Sequence, residues 1–218
     1  MGVFSDTGST PVASTILLFR STVDHAHRPV IEWAWESIMQ EIILPDDVKP
    51  VLEWVNNRAL PKVSPTPRHA LAQGTFVTAL RVWADARGSG FVGPECRFQV
   101  QPPGEIQRTL VPDVAYVSFD RISPEELAQT NAPAVAPDVV IEIRSPSDRE
   151  SDIDEKVRVY LAAGTRAVFL VDPDRKSVKV VDANGERDLT HARVTHSALP
   201  GFLLEPAKLF EMTRPRRA

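Results

Sequence analysis

Val139-Val140-Ile141-Glu142-Ile143-Arg144 is the stretch whose reading decides the fold. Five residues that are nearly all apolar suit a central strand buried on both faces. Side chains alternate along a strand, so Val139, Ile141 and Ile143 share one face, and Val140, Glu142 and Arg144 share the other. A carboxylate in such a run is costly unless it is paired or binds a metal. Upstream, Leu110-Val111-Pro112-Asp113-Val114 places a second carboxylate near the start of another apolar run. Downstream, Asp152-Ile153-Asp154-Glu155-Lys156-Val157 carries a lysine on a helical pattern. If the two strands are neighbours, Asp113 and Glu142 approach one cation, and Mg²⁺ or Mn²⁺ prefers such hard oxygen ligands. Two carboxylates and a nearby lysine are the parts that metal-assisted phosphodiester hydrolysis needs.

Outward from this centre the pattern is mixed. Residues 1–28 are polar and lack a strong period, and read as an arm. Pro29 opens a helix with Ile31, Trp35, Ile38, Met39 and Ile42 on one face, ended by Pro45. Val51 to Val55 reads as a strand, Asn56-Asn57 as its turn, and Ala59 to Val63 as the returning strand. Arg68 to Ala86 is helical, with Ala72, Phe76, Ala79, Leu80 and Trp83 on one face. Phe91 to Val100 and Thr109 to Ser118 each read as one strand. One helical turn is expected at Pro124–Gln129. Ser151 to Ala163 is helical: Ser151 and Asp154 suggest a capping box, and Gly164 stands where a C′ glycine belongs. Ala167 to Val171 and Ser177 to Val181 read as strands, and Asn184-Gly185 signals a hairpin. The expected architecture is a mixed α/β (α+β) domain around a largely antiparallel or mixed sheet.

Composition narrows the class. The 218 residues carry a formal net charge of −4, with 43% hydrophobic and 25% charged residues, as in an ordinary globular protein. Cys96 is the only cysteine, which rules out an intrachain disulfide and a cysteine zinc cage and fits a reducing cytoplasm. No apolar run approaches the roughly 20 residues of a membrane helix. The expectation is therefore a soluble cytoplasmic protein with no membrane partner. The acidic balance argues against tight non-specific nucleic-acid binding, although a local basic groove or a metal ion can supply positive charge. His25, His27, His191 and His196 lack the spacing of a helix-borne zinc pair.

Each candidate also has an ordinary structural reading. Asp113 could be a turn residue after Pro112. Glu142 could pair with Arg144 or with a neighbouring strand. Lys156 could be a solvated helix residue paired with Asp152 at i−4. As a site residue, Lys156 lies at the edge of the helix's apolar face and reaches over the sheet toward Glu142.

The stretch from Val111 to Val178 resembles the Uma2 family, formerly a domain of unknown function, within the PD-(D/E)XK nuclease superfamily. The resemblance rests on Val111-Pro112-Asp113-Val114-Ala115-Tyr116-Val117 and on Ala136-Pro137-Asp138-Val139-Val140-Ile141-Glu142-Ile143-Arg144-Ser145-Pro146-Ser147. It continues through Glu155-Lys156-Val157, Tyr160-Leu161-Ala162-Ala163-Gly164 and Phe169-Leu170-Val171-Asp172-Pro173. Ser64-Pro65-Thr66-Pro67-Arg68-His69, Leu199-Pro200-Gly201-Phe202 and Leu209-Phe210 extend it to roughly residues 45–211. The resemblance implies a restriction-endonuclease-like mixed sheet flanked by helices, and a Mg²⁺-dependent DNA endonuclease. By motif, Asp113 and Glu142 are metal ligands, the carbonyl of Ile143 is a third, and Lys156 supplies the lysine from the following helix. Glu53 and His69 match family elements near the substrate. Arg144 departs from the superfamily, standing where its usual lysine lies. It can fork a phosphate but cannot act as a base.

Two readings of function follow. In one, the domain at 45–211 hydrolyses DNA with Mg²⁺ or Mn²⁺, preceded by the arm and helix at 1–44 and followed by a basic tail at 212–218. In the other, the same fold is catalytically inactive and binds nucleic acid or a protein, with Glu142 and Arg144 as an internal ion pair. The apolar face of the helix from Pro29 to Leu44 suits packing against a second copy, so a homodimer is expected under either reading.

Overall fold

β-branched residues fill Val139–Ile143, and the strand they form lies in the middle of the sheet with all five residues buried. The computed structural model describes residues 50–212 apart from Val63. The arm, the helix expected from Pro29, His25, His27 and the basic tail beyond residue 212 lie outside the described residues. In chain order the elements are β1 (Leu52–Val55), β2 (Arg58–Pro61), α1 (Pro67–Asp85), β3 (Gly90–Pro94), β4 (Phe98–Val100) and β5 (Arg108–Leu110). Then come β6 (Val114–Ser118), α2 (Pro124–Ala128), β7 (Val139–Ile143), α3 (Glu150–Ala162), β8 (Ala167–Asp172), β9 (Ser177–Asp182), β10 (Gly185–Asp188) and a 3₁₀ turn at Pro206–Leu209.

Six strands form the main sheet in the order β10-β9-β8-β7-β6-β3. Its one parallel pair is β7 with β8, joined by α3 as the crossover. The other neighbours are antiparallel, which gives the mixed sheet expected from the sequence. Two-stranded ribbons, β1-β2 and β4-β5, are the other sheets among the described residues.

Alternation divides the core into two layers. Val139, Ile141 and Ile143 pack with Phe76, Leu80 and Trp83 of α1 and with Phe169 of β8. Val140 points the other way, into a layer with Val159 and Tyr160 of α3, Phe98 and Val100 of β4, and Val55 of β1. Phe76, Phe98, Tyr160 and Phe169 are fully buried, each phenylalanine contributing about 1.5–3 kcal/mol by removal from water. Glu142 shares the face of Val140 and so points toward α3.

Several local readings hold, and some break for physical reasons. Asn56 and Asn57 both adopt positive φ, which the short amide side chain tolerates, and close the β1-β2 hairpin. Thr66 caps α1 by accepting from the His69 N–H. The expected strand from Phe91 to Val100 is two strands in two sheets, parted at Glu95, whose φ is +51°. The expected strand from Thr109 to Ser118 is also two, because Pro112 cannot donate to a ladder. The α3 helix begins at Glu150 with Arg149 as a cap that makes no side-chain bond, so Ser151 and Asp154 form no capping box. Asp152 in that first turn is held instead by Asn56 and Arg58 of the β1-β2 hairpin. The capping box belongs to α2, between Ser123 and Glu126.

Candidate active site

Val114 of β6 lies opposite Ile141 of β7. One step outward along that antiparallel register are Asp113 and Glu142. β5 ends at Leu110, and the turn through Val111 and Pro112 lets the Asp113 carboxylate reach across to β7. Its Oδ2 accepts the Ile143 N–H at 2.6 Å, tying the first carboxylate to the strand that carries the second. His69, on the first turn of α1, places Nε2 3.3 Å from the same oxygen. Lys62, just past β2, donates to Asp113 Oδ1 at 2.8 Å.

Lys156 lies one helical turn after Ile153 and one before Tyr160, on the side of α3 that meets the sheet. Its Nζ is 2.6 Å from Glu142 Oε2 and 3.2 Å from Glu53 Oε1. Glu53 is fixed in turn by the Val111 N–H, which donates to its Oε2 at 3.3 Å. Asp113, Glu142, Glu53, His69 and Lys156 are all buried. They line a recess of about 280 Å³ that also includes Lys62, Ile143, Arg58, Arg144 and Arg149.

The charges do not balance. Three carboxylates, Asp113, Glu142 and Glu53, face two ammonium groups, those of Lys62 and Lys156. Burial works against the Asp113 anion, but the His69 hydrogen bond and the charges of Lys62 and Lys156 hold its carboxyl well below the usual range. Burial pushes Glu142 up to about 7, helped by Asp113 and Glu53 and opposed by Lys156 and Lys62. Burial also works against the Lys156 cation, yet Glu142, Glu53 and Asp113 together raise its pKa well above the ordinary lysine value. The two directions pull against each other, because the charge of Glu142 is the largest cause raising the pKa of Lys156. With Glu142 protonated, two carboxylates still face two ammonium groups, so Lys156 keeps its charge while Glu142 yields its own. Burial, with Glu142 and Glu53 beyond it, drives the Tyr160 phenol far above its usual pKa.

Glu142 Oε1 and His69 Nδ1 are buried with no hydrogen-bond partner among the described residues, and the Tyr160 hydroxyl, likewise buried and unpartnered, lies close enough to Glu142 for the carboxylate to raise its pKa. A buried, partnerless carboxylate oxygen beside a surplus of negative charge suits a hard dication. No group of three or more His, Cys, Asp or Glu side chains with metal-holding geometry occurs among the described residues.

Five sequence candidates thus converge: Asp113, Glu142, Lys156, Glu53 and His69. Arg144 does not pair with Glu142. It turns outward to Glu150 on the first turn of α3, while Glu142, two residues back, is buried against Lys156. The pairing of Lys156 with Asp152 does not form either, because Arg58 takes Asp152 at 2.5 Å. Lys62 was not among the sequence candidates. Its signal was period two in the returning strand, where Arg58, Leu60 and Lys62 share the face that lines the recess.

Comparison with known proteins adds the following. The Uma2 family, described as "Putative restriction endonuclease", matches residues 39–207. A crystal structure of a "putative nuclease belonging to DUF820" from Anabaena variabilis is similar, at 25% sequence identity and a TM-score of 0.67. The similarity covers 77% of this chain and 93% of that one. No curated protein matches the chain.

Proposed function

The chain belongs to the Uma2 family, and we propose that it is a metal-dependent endonuclease that hydrolyses DNA phosphodiester bonds. The observation that carries this reading is the buried Asp113–Glu142 pair, bridged to α3 by Lys156 at 2.6 Å and left with a partnerless Glu142 Oε1. The family description and that of the Anabaena variabilis protein point to the same chemistry. Activity is assigned to the domain at 45–211.

Asp113 and Glu142 would hold Mg²⁺ or Mn²⁺, with the Ile143 carbonyl as the third protein ligand. When bound, the ion supplies Lewis acidity to the scissile phosphate and acidity to a water. The residues of the chain then divide the remaining work. Lys156 keeps its proton, so it acts as a donor. It holds the attacking water in line and stabilises the charge that builds on phosphorus. Glu53 orients Lys156 from behind. His69 orients Asp113 through Nε2, 3.3 Å from its Oδ2. Arg58, Arg144 and Arg149 line the recess beside Glu95, Asp148 and Asp152, and Arg144 can fork a flanking phosphate once Glu150 releases it. A pair of chains joined through residues 29–44 belongs to the same reading, and a mass measurement with and without residues 1–44 tests it.

The test is cleavage of supercoiled DNA by the full chain in Mg²⁺, beside Glu142→Gln and Lys156→Met, with RNA as a second substrate. Nicking that stops on chelation and in both variants is expected. Undiminished cleavage by both variants, or cleavage that survives chelation, would refute the assignment.

A further inference from the structure

We propose that Lys62 gates the metal site. Its ammonium is an internal counterion seated on the Asp113 oxygen that a divalent cation must use. The inference rests on the metal reading of the Asp113–Glu142 pair and goes beyond it to how the site is loaded.

The two oxygens of Asp113 have different neighbours. Oδ2 accepts the Ile143 N–H at 2.6 Å and faces His69 Nε2 at 3.3 Å, so it is committed to the scaffold. Oδ1 is held by Lys62 Nζ at 2.8 Å. A magnesium-sized ion sits about 2.1 Å from its ligand oxygen, closer than an ammonium, and the two cations repel across a low-dielectric recess. Lys62 therefore has to leave Oδ1 when the ion arrives.

Its position makes that exchange feasible. Lys62 follows β2 in a two-stranded ribbon, not in the main sheet that carries Asp113 and Glu142. Its side chain is 18% exposed, against 4% for Asp113, so the lysine is the more solvent-accessible partner of the pair. Glu53 and Glu142 are already bound to Lys156. A displaced Lys62 has the exposed Glu95 and Asp148 of the recess lining to move toward, and in the complex a phosphate of the incoming strand. Metal and substrate then favour each other's binding, because each removes the obstacle to the other. Without substrate, the metal site is held weak by its own lysine.

The experiment is calorimetric titration of the metal-free full chain with Mn²⁺, comparing wild type, Lys62→Met and Lys62→Arg. Methionine keeps the length and the apolar stem and removes the charge. The expected result is a dissociation constant about tenfold lower in Lys62→Met, the usual scale of one coupled exchange, with Lys62→Arg close to wild type. Lys62→Gln should give the same tightening, which covers a failure of Lys62→Met to fold. Mn²⁺ bound equally or more weakly by the neutral variants overturns the gate and leaves the metal reading standing. No Mn²⁺ bound by wild type or by either neutral variant overturns both.

Discussion

Replacing Glu142 by Gln should make the metal-free protein more stable at pH 8, although it removes one half of a buried ion pair. Glu142 is driven from 4.5 to about 7, so its charged form is disfavoured in the folded state by about 3 kcal/mol relative to the unfolded chain. The sign follows from linkage. A carboxyl whose folded pKa is raised adds stability that is fully present below pH 4.5 and is lost as pH rises through about 7. At pH 8 the wild type has lost that contribution. Glutamine is neutral at every pH, still offers Lys156 an acceptor oxygen, and leaves two carboxylates facing two ammonium groups. The gain at pH 8 is therefore about 2–3 kcal/mol, after about 1 kcal/mol for an amide N–H₂ placed where Oε1 has no partner. That corresponds to a Tm higher by roughly 5–10 °C. The assay is chemical or thermal unfolding of both proteins in chelator at pH 5 and pH 8. The difference should be small at pH 5 and open as pH rises. A Glu142→Gln protein that is less stable than wild type at pH 8 would show that the pair with Lys156 is a structural bridge rather than a strained cation site.

Lys156→Met leaves Glu142 and Glu53 together without their shared ammonium. Loss of cleavage and of about 3 kcal/mol is expected by denaturant titration, the scale for breaking one side of a buried pair. Arg144→Ala should change stability by less than about 1 kcal/mol, because its partner Glu150 is exposed, while raising KM for DNA; a large loss of stability would restore Arg144 as an internal partner. His69→Ala removes the ring N–H from Asp113, whose carboxyl is held below its ordinary 3.8 and so adds stability that is present above that pH and lost below it. Unfolding on acidification should begin at a higher pH in this variant, followed by circular dichroism. Gly90→Ala should destabilise by about 2 kcal/mol or more, since a Cβ there would lie 2.3 Å from the Val117 carbonyl oxygen; a neutral outcome would contradict the β3-β6 register.

How legible the site was depended on whether its parts were local. Glu142 could be found because a charge in Val139-Val140-Ile141-Glu142-Ile143 breaks an apolar run, and its face followed from alternation alone. Lys156 could be placed from helical spacing relative to Ile153 and Tyr160. Long-range register could not be read this way. Val114 lying opposite Ile141 decides that Asp113 meets Glu142, and that pairing joins strands whose connection runs through α2. Lys62 escaped because its role comes from a ribbon folding back over the sheet. Its own neighbours, Pro61 and Val63, read only as the end of a strand. The outward turn of Arg144 was hidden for a similar reason. Sharing a face with Glu142 suggested a pair, but Glu150 on α3 was the nearer partner for a side chain at the strand's end. The breaks at Glu95 and Pro112 illustrate the limit of periodicity. Apolar alternation ran straight through both, and only a positive φ and a missing N–H interrupted the ladder.

The most direct measurement is a count of Mn²⁺ ions bound per chain, read from the loss of the free-ion electron paramagnetic resonance signal. It compares wild type with Asp113→Asn and Glu142→Gln, both confirmed folded. One ion per wild-type chain and none in either variant is the expected result, since the site needs both carboxylates across β6 and β7. Binding that survives both substitutions, or no ion taken up by folded wild type and by folded Lys62→Met alike, would contradict the assignment of this acidic pair as a cation site.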